Sequence, residues 1–108
     1  MDLSQRRLYL YRAGREVLRS AAAVGAAATP TPTGRYYVNQ KLLPDDPRGP
    51  YGPAAIGWAQ GGPVAIHGTN APWSIGRAVS NGCIRVPNAV IRRLWAAMLP
   101  GTPVRIRR

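Results

Sequence analysis

The chain has 108 residues, of which 45% are hydrophobic, and it carries a formal net charge of +11. This length fits one domain with a modest core, and the apolar share excludes a chain that is disordered by composition. The 15 Lys and Arg residues against four Asp and Glu predict attraction to polyanions, although a solvated basic surface accounts for the charge equally well. We therefore expect a single domain over residues 1–108.

The chain contains one cysteine and no long apolar run. One cysteine excludes an internal disulfide and a two-cysteine metal site. No stretch approaches the ~20 apolar residues of a membrane-spanning helix, and no signal peptide is visible at the N-terminus. We expect no transmembrane segment, no metal and no organic cofactor. A cytosolic chain, a domain of a longer exported protein and an export route not visible here all remain open.

The first third of the chain predicts a hairpin and then a rigid turn. Residues 7–11 are rich in β-formers, residues 12–15 supply a glycine turn, and a return strand runs from residue 16 to residue 24. The alanine-rich residues 21–28 are helical by propensity, although the internal glycine and the prolines behind it count against a long helix. The Thr-Pro repeat at residues 29–34 forces extended geometry and ends in a bend.

The middle of the chain predicts short strands separated by loops. Residues 35–40 favour a strand, and residues 43–53 hold enough prolines and glycines to predict a long surface loop. Residues 56–58 and 64–66 are predicted strands around a Gly-Gly-Pro turn at residues 61–63.

The last third predicts one helix between two strands. We expect an irregular stretch over residues 70–80, a short strand over residues 83–86 and a closing strand over residues 104–107. Asn88 is a candidate N-cap for a helix over residues 89–99. Its predicted apolar face consists of Val90, Leu94, Trp95 and Met98. The fold class is therefore mostly β with one helix in the C-terminal half.

His67 and Cys83 are the chain's only histidine and cysteine, and they lie 16 residues apart. A thiol is a weak nucleophile until a base or an electropositive environment makes it a thiolate. A neutral imidazole can take that proton and return it to a leaving amine. Both residues lie at the ends of predicted strands, where side chains are held rigidly yet reach a substrate. We expect them to form a catalytic pair.

The residues beside the cysteine suit the same chemistry. Gly82 permits unusual dihedral angles and close approach by a substrate. The backbone N–H groups of Asn81, Gly82 and Cys83 are candidate oxyanion donors. Arg85 shares a strand face with Cys83, so that its guanidinium could bind a substrate carboxylate or favour the thiolate.

Two strings carry a family resemblance. His-Gly-Thr-Asn at residues 67–70 and Ser-Asn-Gly-Cys-Ile-Arg-Val at residues 80–86 together resemble the L,D-transpeptidase catalytic domain of the YkuD type. Residues 2–11 resemble its opening hairpin, residues 29–34 its Thr-Pro turn and residues 101–106 its closing strand. The resemblance implies a compact β-sandwich-like fold with both reactive side chains in one cleft.

The resemblance also implies a two-step reaction. Cys83 would attack the carbonyl that links the third residue of a peptidoglycan stem peptide to D-Ala, D-Ala would leave, and an amine would resolve the thioester. His67 would be the base, with its ring oriented by the Gly68 carbonyl. Substrate-binding residues are implied at Arg85, Ser80, Thr69 and Asn70.

The partners implied by the resemblance are peptidoglycan stem peptides, at a site outside the cytoplasmic membrane. The positive charge would also suit anionic wall polymers, and we do not expect nucleic acid as a partner. One departure from the family is Asn81, which stands where many members have a histidine. It removes a titratable group and leaves His67 as the only imidazole.

Alternatives remain at this point. Water as acceptor would make the domain an L,D-carboxypeptidase, and the charge would also suit a non-catalytic basic domain that binds anionic polymers. An inactive family member kept as a scaffold is a third possibility. Papain-like enzymes place their histidine after the cysteine, and no histidine follows Cys83.

Overall fold

The structure is a computed structural model that describes residues 1–58 and 64–108. Within them the chain forms ten short strands and one α-helix. In chain order these elements are Arg7–Arg12 (β1), Arg15–Ala21 (β2), Val24–Gly25 (β3), Gly34–Tyr37 (β4), Gln40–Leu42 (β5), Ala55–Trp58 (β6), Val64–His67 (β7), Ala78–Ser80 (β8), Ile84–Arg85 (β9), Asn88–Ala97 (α1) and Pro103–Ile106 (β10). The predicted turn at residues 61–63 lies outside the described residues. The predicted fold class, mostly β with one helix in the C-terminal half, is confirmed.

The opening hairpin forms as predicted. Strands β1 and β2 pair antiparallel around a two-residue turn. Ala13 and Gly14 both have positive φ (51° and 76°), the pattern of the primed turns whose twist matches that of paired strands. Leu8 and Leu18 point inward and are buried. The hairpin therefore covers one side of the core.

The alanine-rich segment is extended, so the helical alternative for residues 21–28 is wrong. Ala22 and Ala23 are fully buried, and Ala23 exchanges two backbone hydrogen bonds with Arg85. Strand β3 follows at once and pairs in parallel with β8, a strand inside the stretch that we predicted to be irregular. Backbone pairing with two neighbours outweighs the helix propensity of alanine, which is worth only tenths of a kcal/mol per residue.

A four-stranded sheet in the order β5-β6-β7-β9 carries the site. Strand β7 lies inside it, antiparallel to β6 and parallel to β9. The register of the parallel pair places His67 opposite Arg85. Two residues that are 18 positions apart in sequence thus become direct neighbours at the end of the sheet.

Helix α1 packs on β6 and β7. Ile91 and Leu94 are fully buried on its inner face and Met98 is buried just past its end, whereas Val90 and Trp95 are only partly buried. The predicted cap is wrong in one respect. Asn88 is the first residue of the helix and Pro87 is the N-cap, and the Asn88 side chain accepts a hydrogen bond from the Thr69 N–H rather than from the helix.

The predicted strand over residues 35–40 is split in two. Strand β4 pairs with the closing strand β10, and the chain then turns at Val38 and Asn39 to enter the central sheet as β5. The loop over residues 43–53 contains no regular element. In the described part of the chain, no helix is long and apolar enough to cross a membrane.

Candidate active site

One cavity of about 320 Å³ brings together most of the predicted site residues. Its lining residues are Pro50, Tyr51, His67, Thr69, Asn70, Ala71, Ser80, Asn81, Cys83 and Arg85. Seven of the nine predicted site residues are therefore in its wall. The other two, Gly68 and Gly82, lie directly beside wall residues and act through the backbone.

His67 is the last residue of β7, and its imidazole is 4% exposed. Its Nδ1 is hydrogen-bonded to the Gly68 carbonyl, the contact that the resemblance implied. A carbonyl oxygen can only accept, so Nδ1 carries the proton of the neutral ring. Nε2 is therefore left as the nitrogen that can accept a proton.

The surroundings of His67 favour its neutral form. Burial lowers the pKa of His67 below the ordinary 6.5, the hydrogen bond to Gly68 acts in the opposite direction, and the positive charge of Arg85 lowers the pKa again. Desolvation disfavours the charged imidazole, and a neighbouring cation does the same. At neutral pH the ring is thus uncharged and able to act as a base.

Close packing fixes the loop after His67. A Cβ on Gly68 would collide with Asn88 Oδ1 and would lie 2.9 Å from Pro53 Cδ. Gly52, at φ +65°, approaches the same backbone, since its Cβ would lie 2.7 Å from the Thr69 nitrogen. The Asn88 side chain then accepts a hydrogen bond from the Thr69 N–H at 2.8 Å. Glycines and one amide oxygen together hold the backbone that orients the imidazole.

Cys83 is partly exposed in the loop directly before β9 and lines the same cavity as His67. Arg85, two residues further on, is also in the cavity wall, as the alternation of side chains along a strand predicts. Neither of the two ion pairs in the described residues involves Arg85, so no carboxylate of that part of the chain occupies its guanidinium.

The loop that presents the thiol is closed by the Ser80 hydroxyl. Ser80 is 2% exposed, and its Oγ donates to the Cys83 carbonyl at 2.6 Å and accepts from the Gly82 N–H at 3.1 Å. Both roles of this hydroxyl are thus used inside the loop. The Gly82 N–H, one of three predicted oxyanion donors, has this internal partner, and Gly82 adopts φ +118°, where an L-residue would be strained.

A distant segment holds the carbonyl groups of the same loop. Thr31 Oγ1 donates to the Gly82 carbonyl at 2.8 Å, and Thr29 Oγ1 donates to the Ser80 carbonyl at 2.8 Å. The Ser80 carbonyl also accepts from the Ala26 N–H at 2.9 Å. Sequence analysis found the Thr-Pro turn but not this role, because a hydroxyl's partner 51 residues away leaves no local signal.

Tyr51 is a cavity residue that sequence analysis missed. It belongs to the loop over residues 43–53, is 55% exposed, and sets its ring at 73° to the imidazole of His67 with 4.9 Å between centroids. The length of the loop predicted a wall or cover for a site, but it could not indicate which residue faces the site.

Two absences apply to the described residues, 1–58 and 64–108. No hydrogen bond joins the Cys83 thiol to the imidazole of His67 there. No group of three or more His, Cys, Asp or Glu side chains there could hold a metal ion. The cavity therefore offers a thiol, a neutral base and a free guanidinium around a space that a peptide could enter.

Comparison with known proteins points in the same direction. The YkuD protein of Bacillus subtilis is 42% identical over 86 residues, covering 80% of this chain and 51% of that protein. The YkuD protein of Bacillus licheniformis is 38% identical over 106 residues, covering 98% of this chain and 62% of that protein. The chain thus spans about half to two thirds of the length of these relatives.

The fold has solved counterparts as well. The catalytic domain of the E. faecium L,D-transpeptidase, in its form acylated by ertapenem, superimposes with a TM-score of 0.78 at 27% identity, covering 98% of this chain and 92% of that one. The sequence profile of the YkuD family, the L,D-transpeptidase catalytic domain, matches residues 1–106. The resemblance seen in the two motifs is confirmed, and the chain belongs to the YkuD family of L,D-transpeptidase catalytic domains.

Proposed function

We propose that this domain is a cysteine-dependent L,D-transpeptidase that acts on peptidoglycan stem peptides. The observation that carries the proposal is the shared cavity, which is lined by Cys83 with its thiol, His67 with its neutral imidazole and Arg85 with its guanidinium. Membership of the family supports the reaction class. The roles of the individual residues are our inference from the geometry.

In the first step Cys83 is the nucleophile. Its Sγ bonds to the carbonyl carbon that precedes D-Ala, and His67 Nε2 takes the thiol proton. The C–N bond then breaks, D-Ala leaves with that proton on its nitrogen, and the acyl group remains as a thioester. The hydrogen bond from Nδ1 to the Gly68 carbonyl selects the tautomer of the neutral ring in which Nε2 is free to accept that proton.

The tetrahedral intermediate needs N–H donors near Cys83. Because the Gly82 N–H donates to Ser80 Oγ, we narrow the predicted donor set to the N–H groups of Asn81 and Cys83. Asn81 is exposed on the cavity wall, and its amide side chain is available for a polar contact with the substrate.

Arg85 is our candidate for the residue that binds the terminal carboxylate of the stem peptide. Its guanidinium lies in the cavity wall without a carboxylate partner in the described residues, and guanidinium groups bind carboxylates in a bidentate manner. Such a contact would hold the D-Ala carboxylate and so place the scissile carbonyl relative to the Cys83 thiol. Thr69 and Asn70 line the same cavity and are our further candidates for contact with the substrate.

A second cavity of about 440 Å³ shares Thr69 and Asn70 with the first and includes Arg48. Acyl transfer between two stem peptides needs room for an acceptor, and this adjoining space is where we propose that it binds. Because the relatives are named as L,D-transpeptidases, we place L,D-carboxypeptidase activity second. The site of action that we propose, the cell wall, follows from this substrate.

The test is a product analysis with a purified tetrapeptide muropeptide. Mass spectrometry should show a transient adduct on Cys83 that has lost D-Ala, followed by a cross-linked dimer. If the only product is the hydrolysed tripeptide, the activity is that of an L,D-carboxypeptidase and not of a transpeptidase. If a folded wild-type protein gives no adduct and no product, the proposal is contradicted and the basic binding domain is the remaining alternative. In that case the Cys83→Ala variant should bind an anionic polymer as tightly as the wild type does.

A further inference from the structure

We propose that Thr31 is a positioning residue for acyl transfer, because its hydroxyl holds the Gly82–Cys83 peptide in the orientation that aims the Cys83 N–H at the reacting carbonyl. This inference rests on the proposed function. It assigns a task to the Thr-Pro segment, which lies outside the cavity and does not touch the substrate.

The Thr31 hydroxyl is buried and fully used. Thr31 is 4% exposed, and its Oγ1 donates to the Gly82 carbonyl at 2.8 Å while it accepts from the Gly25 N–H at 2.9 Å. The segment lies directly on Gly25, since a Cβ there would stand 2.6 Å from the Thr31 nitrogen. Only a glycine allows this approach, so the hydroxyl is held in place from both sides.

Because the peptide unit is planar and trans, the hydrogen bond to the Gly82 carbonyl also fixes the direction of the Cys83 N–H. No cis peptide bond occurs in the described chain, and in a trans unit the N–H and the C=O point in opposite directions. The Gly82 carbonyl points at Thr31, which is not in the cavity wall. The N–H of Cys83 therefore points away from Thr31, on the side where Cys83 lines the cavity.

The Asn81 N–H, the other proposed oxyanion donor, is oriented in the same way. The Ser80 carbonyl points at Thr29 Oγ1 and the Ala26 N–H, so the Asn81 N–H of that peptide unit also points away from residues 25–31. Thr29 is exposed and shares its acceptor with Ala26, whereas Thr31 is the only hydroxyl that donates to the Gly82 carbonyl in the described residues. Thr31 should therefore matter more than Thr29.

The reaction step at stake is the formation of the thioester. As the Sγ–C bond forms, the carbonyl oxygen gains negative charge, and a well-aimed N–H donor stabilises that charge. Loss of one such donor typically costs on the order of 10²–10³-fold in rate, and a displaced donor costs part of that. Alkylation of the same thiol by iodoacetamide displaces iodide at a saturated carbon and develops no oxyanion.

The experiment compares these two reactions in Thr31→Val, which keeps the side-chain shape and removes the hydroxyl. We expect acylation by ertapenem to slow by on the order of 10–10²-fold, whereas alkylation by iodoacetamide stays within about 3-fold of wild type because the thiol remains exposed. Thr31→Ser, which restores the hydroxyl, should recover most of the acylation rate. Thr33→Val is the matched control from the same segment and should change neither rate, because Thr33 is exposed.

The outcomes separate this inference from the proposed function. A wild-type protein that is alkylated but never acylated would overturn both. An acylated wild type with an unchanged rate in folded Thr31→Val would overturn only the positioning role, as would an equal loss of acylation and alkylation. If circular dichroism shows that Thr31→Val does not fold, Thr31→Ala, which also lacks the hydroxyl but has a smaller side chain, decides. There we expect acylation to slow by on the order of 10–10²-fold with alkylation within about 3-fold of wild type, and an unchanged acylation rate contradicts the inference.

Discussion

The two walls of the cavity are built by different means. His67 ends a strand of the central sheet, is buried, and is followed by backbone that glycines pack tightly. Cys83 is partly exposed in a loop whose shape depends on hydroxyl groups from residues 29–31 and from Ser80. The imidazole of His67 is thus fixed by sheet register and close packing, and the backbone that presents the Cys83 thiol by directional hydrogen bonds.

This difference predicts different failures. Changes on the His67 wall should act through volume and through the titration of the ring. Changes on the Cys83 wall should leave the fold largely intact and alter the chemistry. The following predictions test that division, beginning with the largest effect.

Cys83→Ala should abolish acylation, with a loss of at least on the order of 10⁴-fold, because no other thiol exists to form the thioester. A partly exposed cysteine contributes little packing, so the thermal midpoint should change little. Intact-mass spectrometry after incubation with ertapenem measures the first effect and differential scanning calorimetry the second. Acylation at another residue of this variant would refute the role of Cys83.

His67→Gln should slow acylation by on the order of 10²–10⁴-fold, because no other imidazole can accept the thiol proton. Alkylation by iodoacetamide at pH 7 should fall as well, since fewer thiols ionise without the base. This joint loss contrasts with the selective loss expected for Thr31→Val. Stopped-flow kinetics provide both rates, and an unchanged acylation rate would remove His67 from the base role.

Gly68→Ala should destabilise the fold by about 1–3 kcal/mol, because the added Cβ would collide with Asn88 Oδ1 and crowd Pro53. Gly57→Ala is the matched control from the same sheet, where the nearest atom to a new Cβ is 3.5 Å away. Urea denaturation measures the free energy of unfolding of each variant, provided that the dependence on urea concentration (the m-value) is unchanged. Equal stability of the two variants would show that close packing does not hold the His67 wall.

The smallest effect concerns pH. Burial lowers the pKa of His67 below 6.5, so the acid limb of acylation should have its midpoint below that value and should be missing in His67→Gln. Between the two pKa values the unfolded chain binds more protons than the folded chain, so the free energy of unfolding should fall as the pH drops below about 6.5. An acid limb above pH 6.5 would contradict a buried neutral base.

The sequence was sufficient for the parts that local chemistry specifies. Residue types and short-range spacing were enough to predict the hairpin over β1 and β2, the helix after Pro87 and the presence of Cys83 and His67 in one cavity. The alanine-rich segment and strand β8 were harder, because their extended form depends on partners that propensity does not include.

The supporting residues of the site could not be found in this way. Tyr51 faces His67 across 16 positions, Asn88 reaches Thr69 across 19, and Thr31 reaches Gly82 across 51. Asn88 even gave a misleading signal, since an asparagine before a helix resembles a cap. Each contact depends on how the chain folds back, which a local pattern does not encode.

By itself, then, the sequence determined the family, the fold class and the one thiol and one imidazole that share the cavity, because these residue types are rare in this chain and lie in closely spaced motifs. Only the tertiary structure decided which tautomer His67 adopts, which amides remain for an oxyanion and what holds the Cys83 loop. The physical reason is that hydrogen bonds and desolvation act over a few ångströms in space, whatever the separation along the chain.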